Sequence, residues 1–274
     1  MSQASTAVDW LAAVPSRTAL FTDFDGTLSR IVLHPELAEP LPGVPEILRR
    51  LARHLRVVGV ASGRPAAWLV EQLGLASTGE GASGAVVEAY GLHGVERAAG
   101  GGIEVAEAAR AWLGAVASAR DEAERAAVPE MVVEDKTYSL TLHWRSAAEP
   151  EAVSEQAGRL AARLSARTGL LSRPGKASLE LIAPIGIDKG TVVARWGAVA
   201  GVDRMAFFGD DLSDVPAFVA VDELVASAGI AGLKVAVTGP EAPAQLLEQA
   251  DLVLGAPEEA VQLLADLADR LEIP

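Results

Sequence analysis

From Thr18 onward the chain alternates short apolar runs, rich in β-branched residues, with longer amphipathic stretches, an order that a parallel sheet joined by crossover helices satisfies. The runs are 19–22, 56–61, 85–90, 205–209, 233–237 and 251–254. Between the first two, P-G-V-P-E-I-L-R-R-L-A-R puts Pro45 in a first helical turn and Ile47, Leu48 and Leu51 on one apolar face. Residues 65–73 read as the next helix.

The middle of the chain breaks this pattern. Gly100, Gly101 and Gly102 make a flexible break and a candidate hinge. A helix-like stretch, 104–127, follows, and then M-V-V-E-D-K-T-Y-S-L-T-L-H-W-R, whose tail alternates like an antiparallel strand. A second helix-like stretch, 149–168, leads to a strand-like run, 177–182, and the strand–helix order resumes at Asp188. The fold expected is α/β, with a Rossmann-like parallel-sheet core over 1–97 plus 184–274 and an inserted α+β domain over 98–183.

Half of the 274 residues are hydrophobic, enough for a large core domain carrying a smaller one. The formal charge of -14 argues against nucleic acid and against an anionic membrane surface as partners, so an anionic substrate has to be met by local positive charge. With no cysteine, disulfides, thiolate metal sites and cysteine nucleophiles are excluded. The histidines are scattered without ligand spacing, and no apolar run is long enough to span a bilayer. A cytoplasmic protein acting on a small molecule is expected.

Four stretches fall at strand ends or helix starts on what should be one face of one sheet, the face where open parallel sheets bind ligands. Asp23 and Asp25 leave the first strand and are followed by Gly26 and Thr27. Ser62, Gly63 and Arg64 follow the second strand, where a hydroxyl and a main-chain amide ahead of a helix suit a phosphate. Lys189 lies in I-D-K-G-T, and Asp210, Asp211 and Asp214 follow F-F-G. Alone, each also reads as an acidic turn, a Ser-Gly turn or a solvated lysine. Together they pair carboxylates suited to Mg²⁺, a hard cation wanting oxygen ligands, with groups suited to a phosphate.

The set D-F-D-G-T-L, S-G-R, D-K-G and G-D-D-x-S-D, in that order, resembles the haloacid dehalogenase (HAD) superfamily of aspartate-dependent phosphatases. The resemblance implies that Asp23 is the nucleophile and that Asp25 protonates the leaving oxygen and then activates water. It implies Mg²⁺ at Asp23, at the carbonyl of Asp25 and at Asp210, supported by Asp211 and Asp214, with Ser62 and Lys189 on the phosphate oxygens. An insertion between S-G-R and D-K-G is the C2-type cap placement of the branch that includes sugar phosphatases. Within it, G-L-H-G-V-E, V-E-D-K-T-Y-S-L-T-L-H-W-R and G-K-A-S-L-E-L are similar to trehalose-6-phosphate phosphatases, which implies sugar contacts from Glu134, Lys136, Arg145 and Glu180. Two positions depart from that family: the fourth motif continues into Val215 and Pro216 rather than an acid, and the strand ends H-W-R rather than H-Y-R. Phosphatases of sucrose 6-phosphate or mannosyl-3-phosphoglycerate share the core motifs, and a non-catalytic phosphate-accepting module shares the strand-end acids.

Overall fold

The computed structural model describes residues 3–75, 86–99, 101–239 and 242–273. Along the chain the strands are β1 (Thr18–Thr22), β2 (Val57–Ala61), β3 (Val87–Gly91), β4 (Glu96–Ala99), β5 (Gly102–Val105), β6 (Val132–Asp135), β7 (Ser139–His143), β8 (Leu171–Gly175), β9 (Ser178–Ile182), β10 (Arg204–Gly209), β11 (Ala231–Val237) and β12 (Leu252–Leu254). The helices are α1 (Gln3–Ala12), α2 (Val44–Ala52), α3 (Ala66–Gln72), α4 (Glu107–Arg110), α5 (Leu113–Ala126), α6 (Pro150–Thr168), α7 (Lys189–Gly197), α8 (Val215–Ala228), α9 (Ala244–Gln249) and α10 (Pro257–Glu272).

Every residue of β1 is buried, as a central parallel strand covered on both faces requires. It sits between β10 and β2, parallel to both, in a sheet ordered β12-β11-β10-β1-β2-β3-β4-β5. Thr22 lies opposite Phe208 and Val60, so β1, β10 and β2 end level with one another. The chain leaves β1 toward β2 and returns to its other side at β10, a switch point of the kind that opens a crevice beyond the strand ends.

Alternation along the strands fills two layers. Ala19, Phe21, Val57, Met205 and Phe207 pack with Val192 and Val193 of α7 and Phe218 of α8. Leu20, Val58 and Ala206 face the opposite way and are fully buried, as are Leu48 and Leu51 of α2 and Leu267 of α10, two helices that pack together. Each Val, Leu, Met or Phe side chain among them contributes about 1.5–3 kcal/mol on burial.

The chain divides into two compact units, Met1–Ile31 with Ala38–Glu104 and Ile187–Pro274, and Val32–Leu37 with Val105–Gly186. The second contains an antiparallel sheet, β6-β7-β9-β8. Leu140, Leu142 and Leu181 on one face of it pack with Val116 of α5 and Leu160 and Leu164 of α6.

The expected single helix over 104–127 does not form. Glu104 and Val105 end β5, and the helical part is split into α4 and α5 at Trp112, whose ring packs on the α5–α6 core. In the glycine break, Gly102 opens β5, the neighbour of β4 in the larger sheet. Gly100 and Ala85, the expected start of the third strand, lie outside the described residues. Strand β8 is not among the runs expected from the sequence; it lies at the edge of its sheet, where Pro174 is tolerated. Val215 and Pro216, which depart from the family motif, open α8, where a proline's missing N–H costs nothing. Among the described residues no helix is long and apolar enough to cross a membrane.

Candidate active site

The first carboxylate is placed by the sheet itself. The Asp23 N–H donates to the Phe208 carbonyl at 2.7 Å, extending the β1–β10 ladder by one residue and fixing the side chain at its end. Asp23 Oδ1 accepts from the Phe24 N–H at 2.6 Å, and its Oδ2 lies 2.9 Å from Lys189 Nζ. Lys189 is the first residue of α7, where Asp188 caps the helix through a capping box with Thr191. Its ammonium is fully buried and donates to Asp214 Oδ1 at 2.7 Å. The other Asp214 oxygen accepts from the N–H groups of Asp210 and Asp211, at 2.9 and 3.0 Å.

Asp23, Asp210 and Asp214 each bring a carboxylate oxygen within 4.8 Å of the others, and all three are buried. Three carboxylates around one ammonium leave an excess of negative charge in a low-dielectric place. Burial pushes the Asp23 carboxyl well above its usual range; Lys189 pulls it back, and Asp214, Asp210 and Asp25 add to the push. Burial works against the charge on Lys189, but Asp214 and Asp23 outweigh it and hold the lysine above its ordinary value.

An oxygen-only donor set with excess negative charge fits a hard divalent cation. The backbone fits too. Gly26 has φ of +81°, and a Cβ there would fall 1.8 Å from Asp210 Oδ2, so the turn after β1 approaches that carboxylate as only glycine permits. Asp211 is not brought into the cluster. Its Oδ1 accepts from the Leu212 N–H at 2.7 Å and caps the short turn that aims Asp214 inward. Thr27 is fully buried, and its hydroxyl has no hydrogen-bond partner among the described residues.

Asp25 is gripped at two points by Arg64, whose Nε and Nη2 each lie 2.8 Å from one of its carboxylate oxygens. The guanidinium also stacks 4.6 Å from the Trp68 ring centroid, and Trp68 meets Phe24 edge-on. Ser62 is buried and its Oγ accepts from the Arg64 N–H at 3.2 Å, which bends the chain ahead of α3.

In the second unit, Glu134, Thr141, Glu180 and Arg173 stand in one cross-strand row on the sheet face opposite the α5–α6 core. Lys136 Nζ lies 3.7 Å from Glu134 and 3.5 Å from Glu180. His143 Nε2 is 2.7 Å from Glu134, and the Ser139 hydroxyl donates to Glu180 at 2.9 Å. Arg145 instead donates to the Lys176 carbonyl at 3.0 Å. His143 and Ser139 were not singled out from the sequence, although the period-two alternation of S-L-T-L-H puts both on the face of Glu134.

A trehalose-phosphatase family model matches residues 21–246. A trehalose-phosphate phosphatase of Mycobacterium ulcerans is 35% identical over 216 residues, 75% of this chain and 52% of that protein. One of Mycolicibacterium paratuberculosis is 31% identical over 271 residues, 93% of this chain and 63% of that protein. The chain thus spans about half to two thirds of the length of these curated relatives. Among solved structures, the C-terminal domain of trehalose-6-phosphate phosphatase from C. albicans superposes with a TM-score of 0.77 at 23% identity, covering 98% of this chain and 97% of that one, a likeness of fold.

Proposed function

This chain belongs to the trehalose-phosphatase family, and we propose that it hydrolyses trehalose 6-phosphate to trehalose and phosphate, with Mg²⁺ and through a phosphate ester on Asp23. The observation that carries this reading is the buried contact of Lys189 with both Asp23 and Asp214 beside Asp210. It fixes one carboxylate for attack and keeps a cation against the place where phosphate charge must be met.

In the first step a bond forms from Asp23 to phosphorus and the bond from phosphorus to the sugar oxygen breaks, the oxygen taking a proton from Asp25. Water then attacks the same phosphorus as Asp25 accepts its proton, which releases phosphate and restores Asp23. Because Asp25 is paired with Arg64 at two points, delivering the proton requires that pair to open. Asp23, Asp210 and the carbonyl of Asp25 would hold Mg²⁺, with Asp211 and Asp214 in support. The cation supplies the positive charge without which a carboxylate is repelled by a phosphate dianion. Ser62, Gly63, Arg64 and Lys189 hold the phosphoryl oxygens. Glu134, Lys136, Arg145 and Glu180 take sugar hydroxyls, a part for which the polar sheet face of the second unit is equipped.

A panel of phosphate-release assays tests the reading, with trehalose 6-phosphate, sucrose 6-phosphate and mannosyl-3-phosphoglycerate as substrates. Trehalose 6-phosphate should lead in kcat/KM by about tenfold or more. A lead for another sugar would overturn the substrate, and release from none would overturn the phosphatase.

A further inference from the structure

The segment G-L-H-G-V-E, residues 91–96, has no role assigned to it above, yet it holds the only left-handed residues with side chains among the described residues of the first unit. Leu92, His93 and Gly94 follow one another at φ of 49°, 59° and 111°. A left-handed conformation costs a residue with a side chain about 1–2 kcal/mol, so two in succession persist only where the surroundings over-determine them.

The surroundings are the S-G-R loop. The Leu92 N–H donates to the Arg64 carbonyl at 2.9 Å and the His93 N–H to the Ser62 carbonyl at 2.8 Å, while the Ser62 N–H donates back to Tyr90 at 3.0 Å. Three residues past His93, Glu96 is buried and its Oε2 accepts from the Ala66 N–H at 2.7 Å. Burial pushes the Glu96 carboxyl above its ordinary value, and only the Ala66 N–H pulls the other way. The spacing leaves no slack. A Cβ on Gly91 would fall 2.1 Å from the Ala66 nitrogen, and one on Gly63 would fall 3.0 Å from the His93 ring.

We propose that the turn at 91–96 is the positioning element of the phosphate loop: through two main-chain bonds, the His93 ring and the Glu96 carboxylate it holds Ser62, Gly63 and Arg64 in the shape that binds a phosphoryl group. Its reach extends to Asp25, because Leu92 anchors the carbonyl of the residue whose guanidinium grips that carboxylate. The inference rests on the assignment of Ser62–Arg64 to phosphate. Glu96 and His93 are positioning residues, acting through the loop and touching no substrate.

The test is a calorimetric titration of the whole chain with inorganic phosphate in the presence of Mg²⁺, with circular dichroism to confirm folding. Glu96→Ala should weaken phosphate binding about tenfold, whereas Glu96→Gln, whose amide oxygen still accepts from Ala66, should stay within about twofold of wild type. His93→Asn, which tolerates the left-handed backbone and removes the ring behind Gly63, should weaken binding several-fold, and it decides the matter if Glu96→Ala does not fold. Unchanged affinity in the folded variants would overturn the proposal while leaving the function standing. Wild-type protein that binds no phosphate would instead overturn the assignment of the loop, and the proposal with it.

Discussion

Asp23 and Lys189 show why this site is built at a strand end. At the end of a buried strand the sheet fixes the Asp23 backbone through its N–H to Phe208, the Phe24 N–H donates to the carboxylate, and the lysine reaches it from a capped helix start. Asp23→Asn keeps the side-chain shape and removes one of the crowded negative charges, so the variant should fold normally by near-ultraviolet circular dichroism and lose turnover. Retention of more than about a tenth of wild-type phosphate release, about 1.4 kcal/mol in barrier, would contradict its role as nucleophile. Lys189→Ala has a different signature. It leaves buried carboxylates without their counter-charge, which should cost roughly 3–5 kcal/mol in a denaturant titration. A cost under about 1 kcal/mol would mean that water or ions already screen those acids.

At the level of the element, the first turn of α7 and the polar face of the β6-β7-β9-β8 sheet place the charged side chains. Asp188 accepts from the Thr191 N–H at 3.0 Å, and Asp188→Ala should cost about 0.5–2 kcal/mol as a lost cap, with kcat falling further because Lys189 is the next residue. Unaltered kcat in the folded variant would show that the lysine is placed without the cap. On the sheet, Lys136→Ala or Glu180→Ala should lower kcat/KM for trehalose 6-phosphate by roughly ten- to a thousandfold, about 1.4–4 kcal/mol, while barely changing hydrolysis of p-nitrophenyl phosphate. Equal losses on both substrates would mean that the pair supports the fold or the phosphate site. The row was half legible: E-D-K and G-K-A-S-L-E-L pointed to Glu134, Lys136 and Glu180. His143 and Ser139 emerged only when the register of β6, β7 and β9 set them beside those acids.

Across the molecule, charge is unevenly spent. A formal charge of -14 includes three buried acids gathered beside Lys189, which pairs with two of them. Divalent cation should therefore stabilise the fold as well as enable turnover: melting temperature should rise with Mg²⁺ in wild type and much less in Asp210→Asn, and chelation should stop phosphate release. Ca²⁺, which accepts more ligands at longer distances, should bind and inhibit. Full turnover in chelator, or with Ca²⁺ in place of Mg²⁺, would remove the cation from the reaction.

The sequence alone determined the α/β order and the strand ends that carry Asp23, Ser62 and Asp210, because hydrophobic periodicity and strand-end acids are local properties. What it could not determine was how each acid is spent. Asp211 and Asp214 are near neighbours in one motif, yet one caps a turn and the other holds a buried lysine. Arg64 and Asp25 are 39 residues apart and become partners only when β1 and β2 lie side by side. The turn at 91–96 gives no local sign of its strain, and it is the parallel pairing of β2 with β3 that presses it onto the Ser62–Arg64 loop and makes its left-handed residues tolerable. Charge partners and strain belong to pairs of segments brought together by the sheet, and they depend on register, which no single stretch of sequence contains.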